Sequence, residues 1–303
     1  KASESGEFQR PDTVYRDWVR ADGSTDFKSE AGRYHLYVAH ACPWANRTLI
    51  LRALKGLESA IDVSFVGPRM GDDGWTFDDE HRDELFESNY MREIYIRSDP
   101  HYTGRVTVPV LWDKQQGRIV NNESRDIIRM LDHEFREVAE RDTDYAPRAL
   151  LSEVDEAITA IYEPINNGVY RSGFATQQGA YEKAVNELFD ALEHWEGVLA
   201  NRRFLCGNAI TEADVCMFTT LIRFDLVYHG HFKCNRRRLS EYPNLSGYLR
   251  DLYQRPEFGE TVDFPRIKEH YYWSHETINP HRIVPVGPVL DFDAPHGRDR
   301  LSA

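Results

Sequence analysis

Residues 33–56, RYHLYVAHACPWANRTLILRALKG, contain the stretch that decides the fold. The first part, residues 33–39, alternates in character and ends in β-formers, which predicts a buried strand. After it, Pro43 suits the first position of a helix, apolar residues recur at helical spacing, and Gly56 is a stop signal. Cys42 therefore lies where unpaired backbone N–H groups and the positive end of a helix dipole favour thiolate over thiol. This junction predicts a reactive cysteine.

An alternative for Cys42 is a small buried apolar residue, since free cysteines are often of that kind. The fourth position of the motif refines the chemistry. A disulfide oxidoreductase would have a second cysteine there, whereas this chain has Ala45. Any adduct on Cys42 must then be resolved by a thiol from elsewhere, most simply a soluble one. The sequence predicts a monothiol active site.

Composition narrows the class of protein. A chain of 303 residues with 41% apolar content predicts about two globular domains. Its net charge of −13 argues against nucleic acid or anionic membrane as a partner, because polyanions would be repelled. Four cysteines do not make a disulfide framework in a chain of this length, no signal peptide is recognisable, and no apolar stretch is long enough to span a membrane. We expect a soluble, cytoplasmic protein that acts on a small molecule.

The first half of the chain predicts a mixed α/β domain. Residues 1–32 are polar with spaced aromatics, typical of an extended arm. Residues 33–140 follow with the order strand, helix, strand, then two further strands and a helix. The two later strands, from Val108 to Trp112 and from Gly117 to Val120, are separated by four residues and predict a hairpin. This βαβ then ββα order is that of a thioredoxin-like domain.

The second half predicts helices only. Within residues 141–258, apolar side chains recur at i, i+3, i+4 spacing in successive stripes. Thr211 and Asp214 match a capping box with Asp in place of Glu, leading into an apolar run. Residues 259–303, rich in Pro and His, are expected to form a tail that packs on the body. The chain thus divides into an arm, an α/β domain, an all-α domain and a tail.

Several motifs carry a resemblance to a known family. They are Cys42-Pro43-Trp44-Ala45, Gly74-Trp75, Arg105 to Asp113, Asn121-Asn122-Glu123-Ser124 and Gly230 to Asn235. Together with the order of domains they resemble the glutathionyl-hydroquinone reductases, the xi class of glutathione transferases, over about residues 33–285. The resemblance implies the glutathione transferase fold, an N-terminal thioredoxin-like domain followed by a C-terminal helical bundle, here with extensions at both ends. It also implies a homodimer.

Two motifs predict a place for the thiol. In thioredoxin-like folds a Pro at the start of the third strand is usually cis and exposes the backbone of the residue before it to a peptide ligand, a role that Val108 and Pro109 fit. The alternative is a Pro that merely begins an edge strand. At the next helix, Ser124 and backbone N–H groups can take a carboxylate while Glu123 takes an ammonium. The alternative there is an ordinary helix cap. A γ-glutamyl group carries both charges on one carbon, so we favour glutathione binding.

Other residues enter through the resemblance alone. It implies that Trp75 and Arg105 help to hold glutathione. It also implies an electrophile pocket lined by three tyrosines, Tyr170, Tyr228 and Tyr271, although Tyr272 neighbours the last of them.

The activity implied is reduction of a glutathionylated hydroquinone to the free hydroquinone, with oxidised glutathione as the second product. Cys42 would form a mixed disulfide that a second glutathione resolves. The cosubstrate is glutathione, with a shorter γ-glutamyl thiol as the alternative. Two other functions stay open: an omega-like thioltransferase or dehydroascorbate reductase with the same monothiol chemistry, and a binding or scaffold protein without catalysis.

The segment from His229 to Cys234 is not expected to bind a metal. His229-Gly230-His231 with Cys234 has metal-ligand side chains, but the segment lacks a second paired cluster nearby. Cys206 and Cys216 are most simply core residues. We expect no metal.

Overall fold

A computed structural model describes residues 5–301 and divides the chain into two compact units. The sheet unit consists of Asp12–Asp144 and Glu260–Ser274. The helical unit consists of the described residues up to Pro11, of Tyr145–Gly259 and of the described residues from His275 onward.

The sheet unit contains four strands and four helices of the α class. In chain order they are β1 (Tyr34–Val38), α1 (Pro43–Lys55), β2 (Ile61–Phe65), α2 (Met91–Ser98), β3 (Val110–Asp113), β4 (Arg118–Asn121), α3 (Ser124–His133) and a last helix given below. The strand order is β2-β1-β3-β4, with β1 and β2 parallel and both other pairs antiparallel. The predicted βαβ and hairpin arrangement is confirmed.

Strand β1 lies inside the sheet and all five of its residues are buried. Strand β3 starts later than predicted, at Val110 rather than Val108. Pro109 has no backbone N–H to give to a neighbouring strand, which explains the late start. The predicted cis peptide bond between Val108 and Pro109 is present.

The helical unit contains the remaining helices. They are α4 (Leu151–Ile161), α5 (Gly168–Gly173), α6 (Gln178–Leu199), α7 (Glu212–Arg223), α8 (His229–His231), α9 (Pro243–Tyr253) and α10 (Pro256–Gly259). The predicted capping box is present at the start of α7: the Asp214 carboxylate accepts the Thr211 N–H at 2.8 Å. Two π-helical turns, Tyr162–Asn166 and Phe224–Tyr228, follow α4 and α7. None of the helices among residues 5–301 is long and apolar enough to cross a membrane.

The ends of the chain carry more structure than the sequence suggested. The arm pairs with the edge of the sheet, where Asp17 N–H donates to Val120 O at 3.0 Å and Asn122 N–H donates to Tyr15 O at 3.1 Å. The segment expected to be a tail contains a helix, α11 (Phe264–Ser274), which belongs to the sheet unit. The sequence analysis had assigned no helix to this segment. Asp263 accepts the Arg266 N–H at 2.9 Å, and an Asp just before the first turn stabilises a helix start.

His35 is a buried titratable group of β1. Its Nε2 lies 2.8 Å from Ser64 Oγ, which also accepts the Glu84 N–H. Burial lowers the pKa of His35 to about 4, because the charged ring would lose its hydration. The folded protein therefore holds this ring neutral through the range in which an unfolded chain takes up a proton.

This histidine should make stability depend on pH. Above pH 6.5 the ring is neutral in both the folded and the unfolded chain, so His35 does not reduce stability. As the pH falls from 6.5 toward 4, the unfolded chain takes up a proton that the folded protein does not, and the free energy of unfolding decreases by about 3 kcal/mol. We expect His35→Gln to lack this part of the acid destabilisation, as measured by urea denaturation at pH 7, 5.5 and 4.5. The exposed His101→Gln should keep the wild-type profile. A constant stability difference between wild type and His35→Gln across this range would contradict the prediction.

Candidate active site

Cys42 lies at the point where the chain turns from β1 into α1. It is the N-cap residue of α1, with extended φ and ψ angles, and its carbonyl accepts the Asn46 N–H at 3.0 Å. Pro43 follows in the first turn, and Gly56 ends the helix in the left-handed region, as predicted. The thiol is half-buried at the N-terminal end of the helix, where the helix dipole favours the thiolate, and it keeps some access to solvent.

The structure brings Cys42 and Val108 together. The Cys42 Sγ donates to Val108 O across 3.4 Å, and Val108 leads into Pro109 and β3. Both residues of this peptide bond are buried. A backbone carbonyl beside the Cys42 thiol can orient a ligand so that the ligand's own sulfur lies close to the Cys42 sulfur.

Glu123 and Ser124 lie at the start of α3. Glu123 is the N-cap residue, and its carboxylate accepts the Arg125 N–H at 3.2 Å and the Thr13 hydroxyl at 3.3 Å. The helix-cap alternative from the sequence is thus present. The carboxylate still contributes negative charge beside the buried Ser124, and the first-turn N–H groups contribute positive potential. The two kinds of charge that a γ-glutamyl group needs are both available here.

Arg47 is a component that the sequence analysis missed. Its guanidinium lies 4.3 Å from the centre of the Trp44 ring, and Nη1 donates to Ser124 Oγ at 3.3 Å. The side chain is only 2% exposed, which puts a cation next to the hydroxyl expected to meet a carboxylate. An Arg in the middle of a helix carries no signal of this role, since the contact joins residues far apart in sequence.

Trp75 and Arg105 differ in their surroundings. The Trp75 ring is buried and stacks on His270 of α11, with centroids 4.7 Å apart and planes 15° from parallel. Arg105 is exposed, and its backbone carbonyl accepts the Tyr102 hydroxyl at 2.6 Å. Contacts of either side chain with glutathione stay a prediction.

Two of the three tyrosines meet in the helical unit. Tyr228 ends the second π-helical turn, Tyr170 lies on α5, and their ring centroids are 6.0 Å apart. Phe232 contacts both rings. Arg10 lies over the Tyr170 ring at 4.9 Å. The π-helical turns, a feature frequent at functional sites, could not be read from spacing.

Tyr271 lies on α11, in the sheet unit. It is 1% exposed, whereas Tyr272 is half-buried and burial raises the pKa of Tyr272 above its usual value. Which of the two meets a ligand stays a prediction.

The buried cysteines have surroundings unlike those of Cys42. Burial raises the pKa of Cys234 to about 12 and that of Cys206 to about 11, and Cys216 is fully buried. Among residues 5–301, the three-residue group with ligand atoms close enough to hold a metal is Asp132, His133 and Asp144. Lys55 and Arg136 already form ion pairs with its carboxylates.

The chain matches two domain families. The glutathione S-transferase N-terminal domain family matches residues 41–134, and the C-terminal domain family matches residues 178–251. A protein of Escherichia coli named glutathionyl-hydroquinone reductase YqjG is 50% identical over 307 residues, covering 98% of this chain and 94% of the relative. Glutathionyl-hydroquinone reductase PcpF of Sphingobium chlorophenolicum is 50% identical over 290 residues, covering 95% and 91%.

Solved structures agree with these matches. A xi-class transferase from Natrialba magadii superposes with a TM-score of 0.95 at 55% identity, over 97% of this chain and 93% of that one. The glutathione-bound structure of the Escherichia coli protein superposes with a TM-score of 0.91 at 50% identity, over 97% and 98%. The chain belongs to the glutathione transferase family and, within it, to the xi class.

Proposed function

We propose that this protein reduces glutathionyl-hydroquinones to hydroquinones at the expense of glutathione, through a mixed disulfide on Cys42. The observation that carries this proposal is the half-buried Cys42 thiol at the start of α1, 3.4 Å from the Val108 carbonyl, in a chain half-identical to relatives named for this activity. It is an enzyme of the oxidoreductase type that uses a thiol as cosubstrate.

The first step is attack by the Cys42 thiolate on the sulfur of the glutathionyl group. A sulfur–sulfur bond forms, the sulfur–carbon bond breaks, and the aromatic carbon leaves with the electron pair and takes up a proton. The products are a Cys42–glutathione disulfide and the free hydroquinone. The aromatic carbon has been reduced and the two sulfurs have been oxidised.

The second step is attack by the thiolate of a second glutathione on the mixed disulfide. Oxidised glutathione leaves and the Cys42 thiolate is restored. Ala45 supports this external resolution. It occupies the position of the second cysteine in a disulfide oxidoreductase, it carries no thiol, and it is fully buried. The sum of both steps is one glutathionyl-hydroquinone plus one glutathione giving one hydroquinone plus one oxidised glutathione.

Recognition of the thiol is assigned to the groups around Cys42. The Val108 backbone, before Pro109, would pair with the peptide part, and Glu123 and Ser124 would take the ammonium and carboxylate of the γ-glutamyl end. Arg47 adds a positive charge next to Ser124. Trp75 and Arg105 would help to hold the rest of the glutathione molecule. The same groups suit glutathione and a shorter γ-glutamyl thiol, and the glutathione-bound relative favours glutathione.

The aromatic part of the substrate is assigned to Tyr170, Tyr228 and Tyr271. A departing carbanion needs a proton and the hydroquinone oxygens need hydrogen bonds, and phenol hydroxyls supply both. Tyr170 and Tyr228 both pack against Phe232, which restrains the orientation of their rings.

The working form is proposed to be a cytoplasmic homodimer. None of the four cysteines is in a disulfide, which is the usual state in a reducing compartment. The net charge of −13 speaks against nucleic acid and anionic membranes as partners.

Mass spectrometry of the intact protein tests the nucleophile. After mixing with glutathionyl-menadione, we expect wild type to gain one glutathionyl group and to lose it when glutathione is added. Cys42→Ser should gain none, because serine cannot form the disulfide.

Cys206→Ser is the matched control, since Cys206 is buried in the helical unit and should leave the adduct unchanged. An adduct that persists in Cys42→Ser would contradict the proposal. Turnover of dehydroascorbate or hydroxyethyl disulfide at a higher kcat/KM than glutathionyl-menadione would favour the omega-like function instead.

Phe substitutions test the tyrosines. If one hydroxyl protonates the leaving carbon, at least one of Tyr170→Phe, Tyr228→Phe and Tyr271→Phe should lower kcat with glutathionyl-menadione about 100-fold. Turnover of hydroxyethyl disulfide should stay unchanged, because a thiolate leaving group needs no carbon protonation. Tyr242→Phe, which removes a buried hydroxyl bonded to Glu193, is the control. Unchanged kcat in all three variants would rule out tyrosine acid catalysis.

A further inference from the structure

Tyr95 of α2 has a hydroxyl that joins two distant segments of the sheet unit. Its ring is fully buried. The hydroxyl donates to Thr107 O at 2.9 Å and accepts the Thr107 N–H at 3.2 Å and the Asn122 Nδ2–H at 3.1 Å. A phenol oxygen with one donated and two accepted hydrogen bonds is fully satisfied.

The partners of this hydroxyl lie next to the proposed thiol-binding groups. Thr107 immediately precedes Val108, whose carbonyl faces Cys42, and Asn122 immediately precedes Glu123. One segment leads into β3 and the other follows β4, so both lie at the open end of the β3–β4 hairpin, where Leu111 pairs with Asn121. One hydroxyl thus links the backbone that would meet the peptide part of the ligand with the helix start that would meet its γ-glutamyl end.

Neighbouring aromatic rings keep Tyr95 in place. The Tyr102 centroid lies 4.9 Å and the Tyr15 centroid 5.9 Å from that of Tyr95. Tyr15 also fixes Asn122 from the other side, since its backbone N–H donates to Asn122 Oδ1 at 3.2 Å. Burial raises the pKa of Tyr95, which keeps its hydroxyl protonated and able to donate. The link is therefore rigid as well as fully bonded.

We propose that Tyr95 is a positioning residue for γ-glutamyl thiol binding, because its hydroxyl sets the spacing between Val108 and the Glu123–Ser124 helix start. This inference rests on the proposed function, specifically on its thiol site. Without the hydroxyl, the Thr107 N–H and the Asn122 amide would lose a buried partner and both segments would relax. Tyr95 does not touch the reacting sulfur, so the effect falls on thiol affinity rather than on the chemical step.

Tyr95→Phe tests the proposal by calorimetry and kinetics. We expect the Kd for glutathione and its KM to rise about 10-fold, with kcat at saturating glutathione unchanged. Tyr34→Phe is the matched control: Tyr34 is also fully buried in the sheet unit, and its hydroxyl donates to Lys28 O at 2.7 Å. It should lower Tm and leave the Kd as in wild type. A purely structural role of Tyr95 would give the same pattern as this control.

Asn122→Ala provides a second route in case Tyr95→Phe folds poorly. It removes the hydrogen bond to Tyr95 from the other side and should raise the Kd for glutathione by a similar factor. The double variant Tyr95→Phe/Asn122→Ala should have a Kd no higher than that of the single variant that binds glutathione more weakly. A Kd unchanged in both single variants would overturn the proposal, as would fully additive effects.

Calorimetry also separates this proposal from the proposed function. If wild type binds glutathione but does not turn over glutathionyl-menadione, the proposed reaction is wrong, and the Kd values still decide the role of Tyr95. If wild type does not bind glutathione, both the proposed thiol site and the proposed role of Tyr95 are wrong.

Discussion

The arrangement of the candidate site depends on one constraint, the antiparallel pairing of β1 with β3. Tyr37 near the end of β1 pairs with Val110 at the beginning of β3. The chain that leaves β1 toward Cys42 therefore emerges beside the chain that enters β3 through Val108 and Pro109. Two segments more than sixty residues apart in sequence meet at one edge of the sheet, and the Cys42 thiol reaches the Val108 carbonyl for that reason. The proposed contact of the thiol ligand with the Val108 backbone follows from this meeting.

The groups behind this edge are polar and buried, which makes the site rigid. Arg47 bonds Ser124, and Tyr95 bonds Thr107 and Asn122. Each of these long side chains ties a helix to a segment that carries a proposed ligand contact. Buried hydrogen bonds of this kind favour one geometry, because breaking them leaves polar atoms without those partners in a medium of low dielectric constant.

The sequence was informative where function depends on local chemistry. Cys42 before a helix, Pro109 before a strand and the Thr211 capping box all act through their immediate neighbours, and short motifs therefore predicted their placement. Arg47 contacts Ser124, 77 residues away, and Tyr95 contacts Asn122, 27 residues away. No spacing rule in the sequence predicts such contacts. Helix α11 was missed because its Pro, His and Tyr residues are weak helix formers, although Asp263 and Pro265 mark its start.

The need for a second thiol follows from how the chain distributes its cysteines. Cys42 is half-buried, whereas the other three are buried, and burial raises the pKa of both Cys206 and Cys234. A thiolate is the attacking species in disulfide exchange, so these thiols are poorly suited to resolve a disulfide on Cys42. Position 45, where a resolving cysteine would lie one turn into the helix, is a fully buried Ala. The proposed mechanism therefore takes the resolving thiol from solution, and the cation and helix start beside Ser124 suit one that carries a carboxylate.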